Sequence, residues 1–232
     1  MNNEFLESNY STFYKGKNIQ KIYPTEFVVR SFLGTYPNLK PIKKEKFIGK
    51  KVLDLGCGDG RNIPFLNNLG FEGFGIEINQ SIIDNCYKHL SLNNSKANLY
   101  IGKNNRINFH NDFFDFIIAC HSCYYLDKDD LFSDNLNEVF RVLKKKGRFI
   151  FSVPKSTSYL VKNADILDDN YAIIRDDPLK IRNGTKIKFF DSKEEILSYL
   201  SNQFDSISIG SCENDWWGTH EFCWTIVSQK KE

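Results

Sequence analysis

Val52-Leu-Asp-Leu-Gly-Cys-Gly-Asp-Gly60, continued by Arg61-Asn62, is the stretch on which the fold turns. It opens as an apolar strand and then sets three glycines at alternate positions ahead of a helical pattern. Bare backbone there lets the chain approach a ligand that a side chain would keep away. The spacing is G-x-G-x-G. A nicotinamide-dinucleotide loop wants G-x-G-x-x-G, and the position of its third glycine is held here by Arg61. The next apolar run ends Phe74-Gly-Ile-Glu77. A carboxylate at that strand tip can accept from both hydroxyls of a ribose.

Outward from the loop, strand signals at 51–55, 73–77, 97–101, 114–120 and 147–153 alternate with helical periodicity at 62–69, 80–90 and 129–143. This alternation predicts a parallel sheet with helices on both faces. After Pro154 a polar, Asp-rich stretch runs to about residue 186, followed by a helix at 192–200 and strands at 206–210 and 222–227. Those last strands are expected as an antiparallel pair at one sheet edge, joined through 211–221. Before the loop, 25–36 reads as a short amphipathic helix after Pro24, and 37–46 as a Pro/Lys-rich linker. The expected organisation is an N-terminal cap or helical segment at 1–46, then one domain at 47–232 with an insertion around 155–190.

The chain has 232 residues, enough for one well-buried domain, with 41% hydrophobic and 26% charged residues. Its formal charge of +2 offers no global attraction to nucleic acid or to an anionic membrane. The longest apolar run, 113–120, is interrupted by Asp115 and is far short of the ~20 residues of a spanning helix. Without a leader pattern at its start, the chain is expected in the cytoplasm. Of six cysteines only Cys120 and Cys123 form a C-x-x-C pair, and no second pair accompanies it, so reduced thiols and no metal are expected.

Residues 52–62, Glu77, 114–121 and 138–154 together resemble the class I S-adenosylmethionine-dependent methyltransferases. The resemblance implies an α/β, Rossmann-like methyltransferase fold: a seven-stranded, mostly parallel sheet with an antiparallel last strand and helices on both faces. It implies S-adenosylmethionine as cofactor and S-adenosylhomocysteine as product. Asp54 and the backbone of Gly56, Cys57, Gly58 and Gly60 would hold the methionine part, Glu77 the ribose, and Ile78 the adenine face. The family often places an acid after the third strand, where this chain has Gly102-Lys-Asn-Asn105, so Asn104 or backbone must serve the adenine amine. Asn62 and Cys120 complete the expected cofactor set. The segment Tyr23-Pro-Thr-Glu-Phe-Val-Val-Arg30 resembles the family's cap helix, with Tyr23 and Arg30 reaching the cofactor or lying on an ordinary solvated helix.

Ligands of open parallel sheets lie beyond the carboxyl ends of the strands, which brings Cys120-His-Ser-Cys-Tyr-Tyr125 to the site. His121 is a candidate base, since an imidazole accepts a proton at neutral pH; its alternative role is to shape the loop. Tyr124 and Tyr125 are candidate acceptor-lining residues, or plain packing. Trp216 and Trp217 stand in the joint between the last strands, placed to stack on a flat acceptor or to close the core, with His220 a second candidate base. No Asn/Asp-Pro-Pro-Tyr/Phe motif follows strand four; Ala119-Cys-His-Ser122 stands there. The expected activity is methylation of an O or N atom of a small molecule, a sugar or surface-polysaccharide precursor among them, by a monomer or homodimer without nucleic-acid or membrane partners. A tRNA or protein methyltransferase, and a non-catalytic cofactor-binding module, are the alternatives.

Overall fold

The computed structural model describes residues 3–15, 23–40, 42 and 47–232. The rest of the linker expected at 37–46 lies outside the described residues, as does part of the cap segment. Helices α1 (Asn3–Lys15) and α2 (Glu26–Leu33) precede β1 (Lys51–Leu55), α3 (Ile63–Asn68), β2 (Glu72–Glu77), α4 (Gln80–Leu92) and β3 (Asn98–Ile101). Then come β4 (Phe114–Ala119), the two-residue β5 (Tyr125–Leu126), α5 (Phe132–Val142) and β6 (Leu143–Pro154). The remainder is α6 (Tyr159–Lys162), β7 (Asp165–Ile166), β8 (Tyr171–Ile173), β9 (Lys186–Lys188), α7 (Lys193–Leu200), β10 (Phe204–Trp216) and β11 (Thr219–Lys230).

Seven strands make one sheet in the order β10-β11-β6-β4-β1-β2-β3. From β6 to β3 every pair is parallel, and β11 runs antiparallel to both β6 and β10. The fold class expected from the sequence is the one present. Central strands are buried on both faces: Leu53, Leu55, Ile117 and Ile118 are fully covered. One face packs on α2 and α3 through an aromatic group in which Phe71 lies 5.0 Å from both Phe47 and Phe116, with Phe32 of α2 against all three. Each such ring, once buried, contributes about 1.5–3 kcal/mol. That anchors α2 beside the strand ends that carry the site.

Three departures from the sequence expectation matter. β6 begins at Leu143, not at 147, because Leu143 is buried and pairs with Phe114 across a register shift. β10 and β11 are far longer than expected: the stretch 211–221 is hairpin ladder, and its turn is only Trp217-Gly218, both at positive φ, closed by Gly218 N donating to Asp215 Oδ1 at 2.7 Å. The polar stretch after Pro154 is not featureless either. It supplies three strands of a second, antiparallel sheet, β5-β9-β8-β7, whose first strand follows directly on the end of β4.

Candidate active site

The glycine loop is pinned to β2 by Gly56 N and Cys57 N, which both donate to Ile76 O, at 3.0 and 3.1 Å. Gly56 and Gly58 have φ of +72° and +55°. A Cβ on Gly56 would come 2.5 Å from the Ser122 Cβ, and one on Gly58 would strike the Tyr14 phenol. Both glycines are therefore required twice over, by conformation and by space. Glu77, 8% exposed, accepts from Gly58 N at 2.7 Å and from Ile78 N at 3.0 Å, one bond on each carboxylate oxygen. Burial raises its pKa despite those two bonds. Each oxygen keeps a lone pair, which is the acceptor set that a vicinal diol needs.

Asp54 at the tip of β1 is 1% exposed and accepts a long 3.4 Å hydrogen bond from Asn62 Nδ2. Burial pushes this carboxyl up to about 7, and the nearby Glu77 and Asp59 carboxylates push the same way. Asn62 also accepts from Thr25 N at 3.0 Å, tying the start of α2 to the loop. Among the described residues the buried carboxyls of Asp54 and Glu77 make no ion pair, which fits a ligand that brings a positive charge. Arg61 is already engaged, 3.0 Å from Asp59.

Over the loop lies α1, which the sequence reading did not single out. Asn85 Nδ2 donates to Tyr14 O at 3.2 Å and Ser11 Oγ to Asn79 Oδ1 at 3.2 Å, so the helix is seated on α4 with Tyr14 against Gly58. Burial, aided by Glu77 and Asp59, raises the Tyr14 pKa and keeps the phenol protonated. The structure does not bring Tyr23 or Arg30 to the loop. Tyr23 is 69% exposed, and the Arg30 guanidinium, held by Glu26 and Tyr36, lines the cleft between α2 and the β10–β11 hairpin instead. Tyr10 and Tyr14, one helical turn apart and flanking Phe13, were the overlooked signal for a docking face.

At the end of β4, His121 adopts φ +55°, and its N–H donates to Ser152 Oγ at 2.9 Å. Its Nε2 lies 3.4 Å from Glu221 Oε1, while Trp216 Nε1 donates to Glu221 Oε2 at 2.9 Å. Burial lowers the imidazole pKa and outweighs the Glu221 carboxylate, so the ring is neutral at pH 7. The ring closes one end of a cleft of about 700 Å³ between α2 and the β10–β11 hairpin, with Phe27, Leu39, Trp216 and Thr225 in its walls.

Other residues singled out from sequence are placed as follows. His220 points to the other face of β11 from Glu221, stacked on Phe222 at 5.3 Å and 3.6 Å from Asp215. Trp217 is 96% exposed at the hairpin turn. Tyr124 is 2% exposed and packs in the core against Tyr125, whose ring is 4.5 Å away. Asn104 donates to Ser122 O and Tyr125 O at 2.9 and 3.2 Å, so it braces the loop after β4 with its carbonyl oxygen left over. The Cys120 thiol, hydrogen-bonded to Thr25, is pushed by burial to about 12 and stays neutral. Among the described residues no group of three or more histidine, cysteine, aspartate or glutamate side chains is placed to hold a metal.

A parallel sheet whose first strand ends in a glycine loop, with a buried carboxylate at the tip of the second, is a Rossmann-like arrangement. The sequence profile of the methyltransferase domain family matches residues 52–147. YqeM of Bacillus subtilis is 24% identical over 176 residues, 68% of this chain and 70% of that protein. Among solved structures, PH0226 of Pyrococcus horikoshii superposes with a TM-score of 0.65 at 18% identity, over 95% of this chain and 99% of that one. A SAM-dependent methyltransferase of Methanosarcina mazei gives 0.59 at 20% identity, over 85% and 98%. Residues 52–147 thus resemble the methyltransferase domain family, and the chain shares its fold with S-adenosylmethionine-dependent methyltransferases. No helix among the described residues is long and apolar enough to cross a membrane.

Proposed function

We propose that this methyltransferase acts on an O or N atom of a small molecule, with His121 taking the proton that the acceptor loses. The observation that carries this reading is the chain Trp216–Glu221–His121, set in the wall of a cleft, with Ser122 next to His121 packed against Gly56 of the glycine loop. When bound, S-adenosylmethionine supplies an electrophilic methyl group on a cationic sulfonium. Glu77 would hold its ribose, Asp54 with the backbone of 56–60 its methionine part, and Tyr14 would cover it from α1. Ile78 and the Asn104 carbonyl are offered to the adenine.

His121 is neutral, so it can accept the acceptor's proton as the new bond to carbon forms, and Glu221 then faces an imidazolium. General-base help of this kind is worth ~10²–10⁴-fold in rate. The remaining contribution is alignment and the exclusion of water by α1 and the small sheet. A hydroxylated acceptor such as a sugar or polysaccharide precursor falls within the reading, with Trp216 as its stacking surface. So does a cytoplasmic setting, in keeping with six free thiols. The test is a screen of metabolites for uptake of labelled methyl, followed by His121→Ala on the acceptor found. Turnover equal to wild type in that variant would remove His121 from the chemistry.

A further inference from the structure

Beyond β4, on the side of the small sheet, lies a second polar centre that the scheme above does not use. Arg182, 8% exposed, is held by Asp177 through Nε at 3.0 Å and Nη2 at 2.8 Å, and its Nη1 donates to Tyr159 Oη at 2.8 Å. Each terminal nitrogen has thus spent one N–H and keeps one. Asp177 has nothing left for them. It also accepts from the backbone N–H groups of Leu179, Ile181 and Arg182, at 3.2, 3.0 and 2.9 Å, which fills its lone pairs.

Around the guanidinium stand the phenols of Tyr159, of Tyr125, four residues after His121 on the same loop, and of Tyr10, brought over by α1. Asn9 of α1 also reaches Ile181 O, at 3.5 Å. Burial raises the Tyr10 pKa and pushes that of Tyr159 to about 12, so both stay protonated; Tyr10 and Tyr125 hydrogen-bond to each other, and Tyr124 Oη donates to Tyr125 Oη at 3.4 Å. Tyr159 accepts from Arg182 and so has its own hydrogen to give. Among the described residues the centre is cationic at its base, its carboxylate is saturated, and the second N–H of each terminal Arg182 nitrogen and the Tyr159 hydroxyl hydrogen are left to donate. An anion of matching size satisfies it; a neutral donor-rich group does not.

We infer that Arg182, Tyr159, Tyr125 and Tyr10 form an acceptor subsite for a carboxylate, so that the molecule methylated is a small organic acid whose far end reaches His121. This rests on the methyltransferase reading above and adds the charge of its substrate. One guanidinium with flat rings beside it suits a monoanionic carboxylate attached to a compact or aromatic body.

The test is calorimetric titration of the protein loaded with S-adenosylhomocysteine, using benzoate and its neutral isostere benzamide. Benzoate should saturate at least tenfold more tightly than benzamide. Removing Arg182 alone would strand a buried carboxylate, so the pair R182Q/D177N is used, checked by its melting temperature, and it should abolish the preference. Tyr159→Phe, which leaves the charges in place, should weaken benzoate several-fold, and neither variant should move S-adenosylhomocysteine affinity by more than twofold. Absent benzoate binding, equal binding of the two probes, or a preference that survives R182Q/D177N overturns the inference. So does a tenfold loss of cofactor affinity in that variant, which would give Arg182 to the cofactor. Should no metabolite be methylated while the benzoate preference stands, the function fails and the anion site remains.

Discussion

Substituting Glu77 by alanine is the sharpest perturbation of the cofactor site. In the folded chain each of its oxygens accepts one backbone N–H, at 2.7 Å from Gly58 and 3.0 Å from Ile78, leaving one lone pair apiece for the ribose hydroxyls. Hydrogen bonds to a charged group contribute about 1.5–3 kcal/mol, so loss of the diol contacts should weaken cofactor binding about 10- to 150-fold. Glu77→Gln should lose nearly as much, since its amide turns donors toward one of the two N–H groups. The fold should tolerate both changes, because burial already works against this carboxylate. Calorimetry with S-adenosylmethionine and with S-adenosylhomocysteine should show the same loss, the ribose being common to both. A dissociation constant within twofold of wild type for Glu77→Ala, in protein of unchanged melting temperature, would refute the assignment.

The Asp54 carboxyl, at about 7 when alone, should ionise beside a sulfonium compound, so binding below neutrality should release a proton. Affinity should then fall by up to about tenfold per pH unit below 7 and level off above 8, and Asp54→Asn should flatten the profile. Because the folded pKa lies above the unfolded one, the unliganded protein should lose stability as pH rises between about 4 and 7, a loss that melting curves of wild type and Asp54→Asn would separate. His121→Ala should cut turnover about 10²–10⁴-fold while cofactor affinity stays within twofold, and Glu221→Gln should move the acid limb of the kcat/KM profile to lower pH. Gly58→Ala should destabilise the protein by about 1 kcal/mol or more, through both its φ and the Tyr14 phenol, and Tyr14→Ala in the same chain should recover part of that in a melting assay.

What could be read from the sequence was whatever repeats along it. Apolar runs of strand length, three glycines and a strand-tip acid gave the sheet and the loop, because each signal is local. The site's other half is made by contacts between distant residues: His121 and Glu221 are a hundred positions apart, and Ser11 reaches Asn79. α1 escaped because the contacts that seat it are polar and phenolic, from Ser11 to Asn79, Asn85 to the Tyr14 carbonyl and Tyr14 to Gly58. The hairpin beyond Ser211 read as loop because its outer residues are polar and it has no third strand to cover them. Tyr23 and Arg30 drew attention through Pro24 and the helix after it, yet that helix turns Val28 and Phe32 to the core and its arginine to the cleft beside the hairpin, not to the glycine loop.

The ladder between β11 and β6 stops at Cys223 and Pro154, while β10 and β11 stay paired to Trp216 and Thr219. Glu221 and Trp216 thus ride on a flap anchored at one margin, and Arg182 rides on the appended small sheet, whereas Asp54 and Glu77 are rooted in the central strands. The free-energy effects of changes at those two appendages would add to those of changes at the glycine loop. On the function proposed above, acceptor preference is set at these margins and can be altered there without touching the strands that carry Asp54 and Glu77.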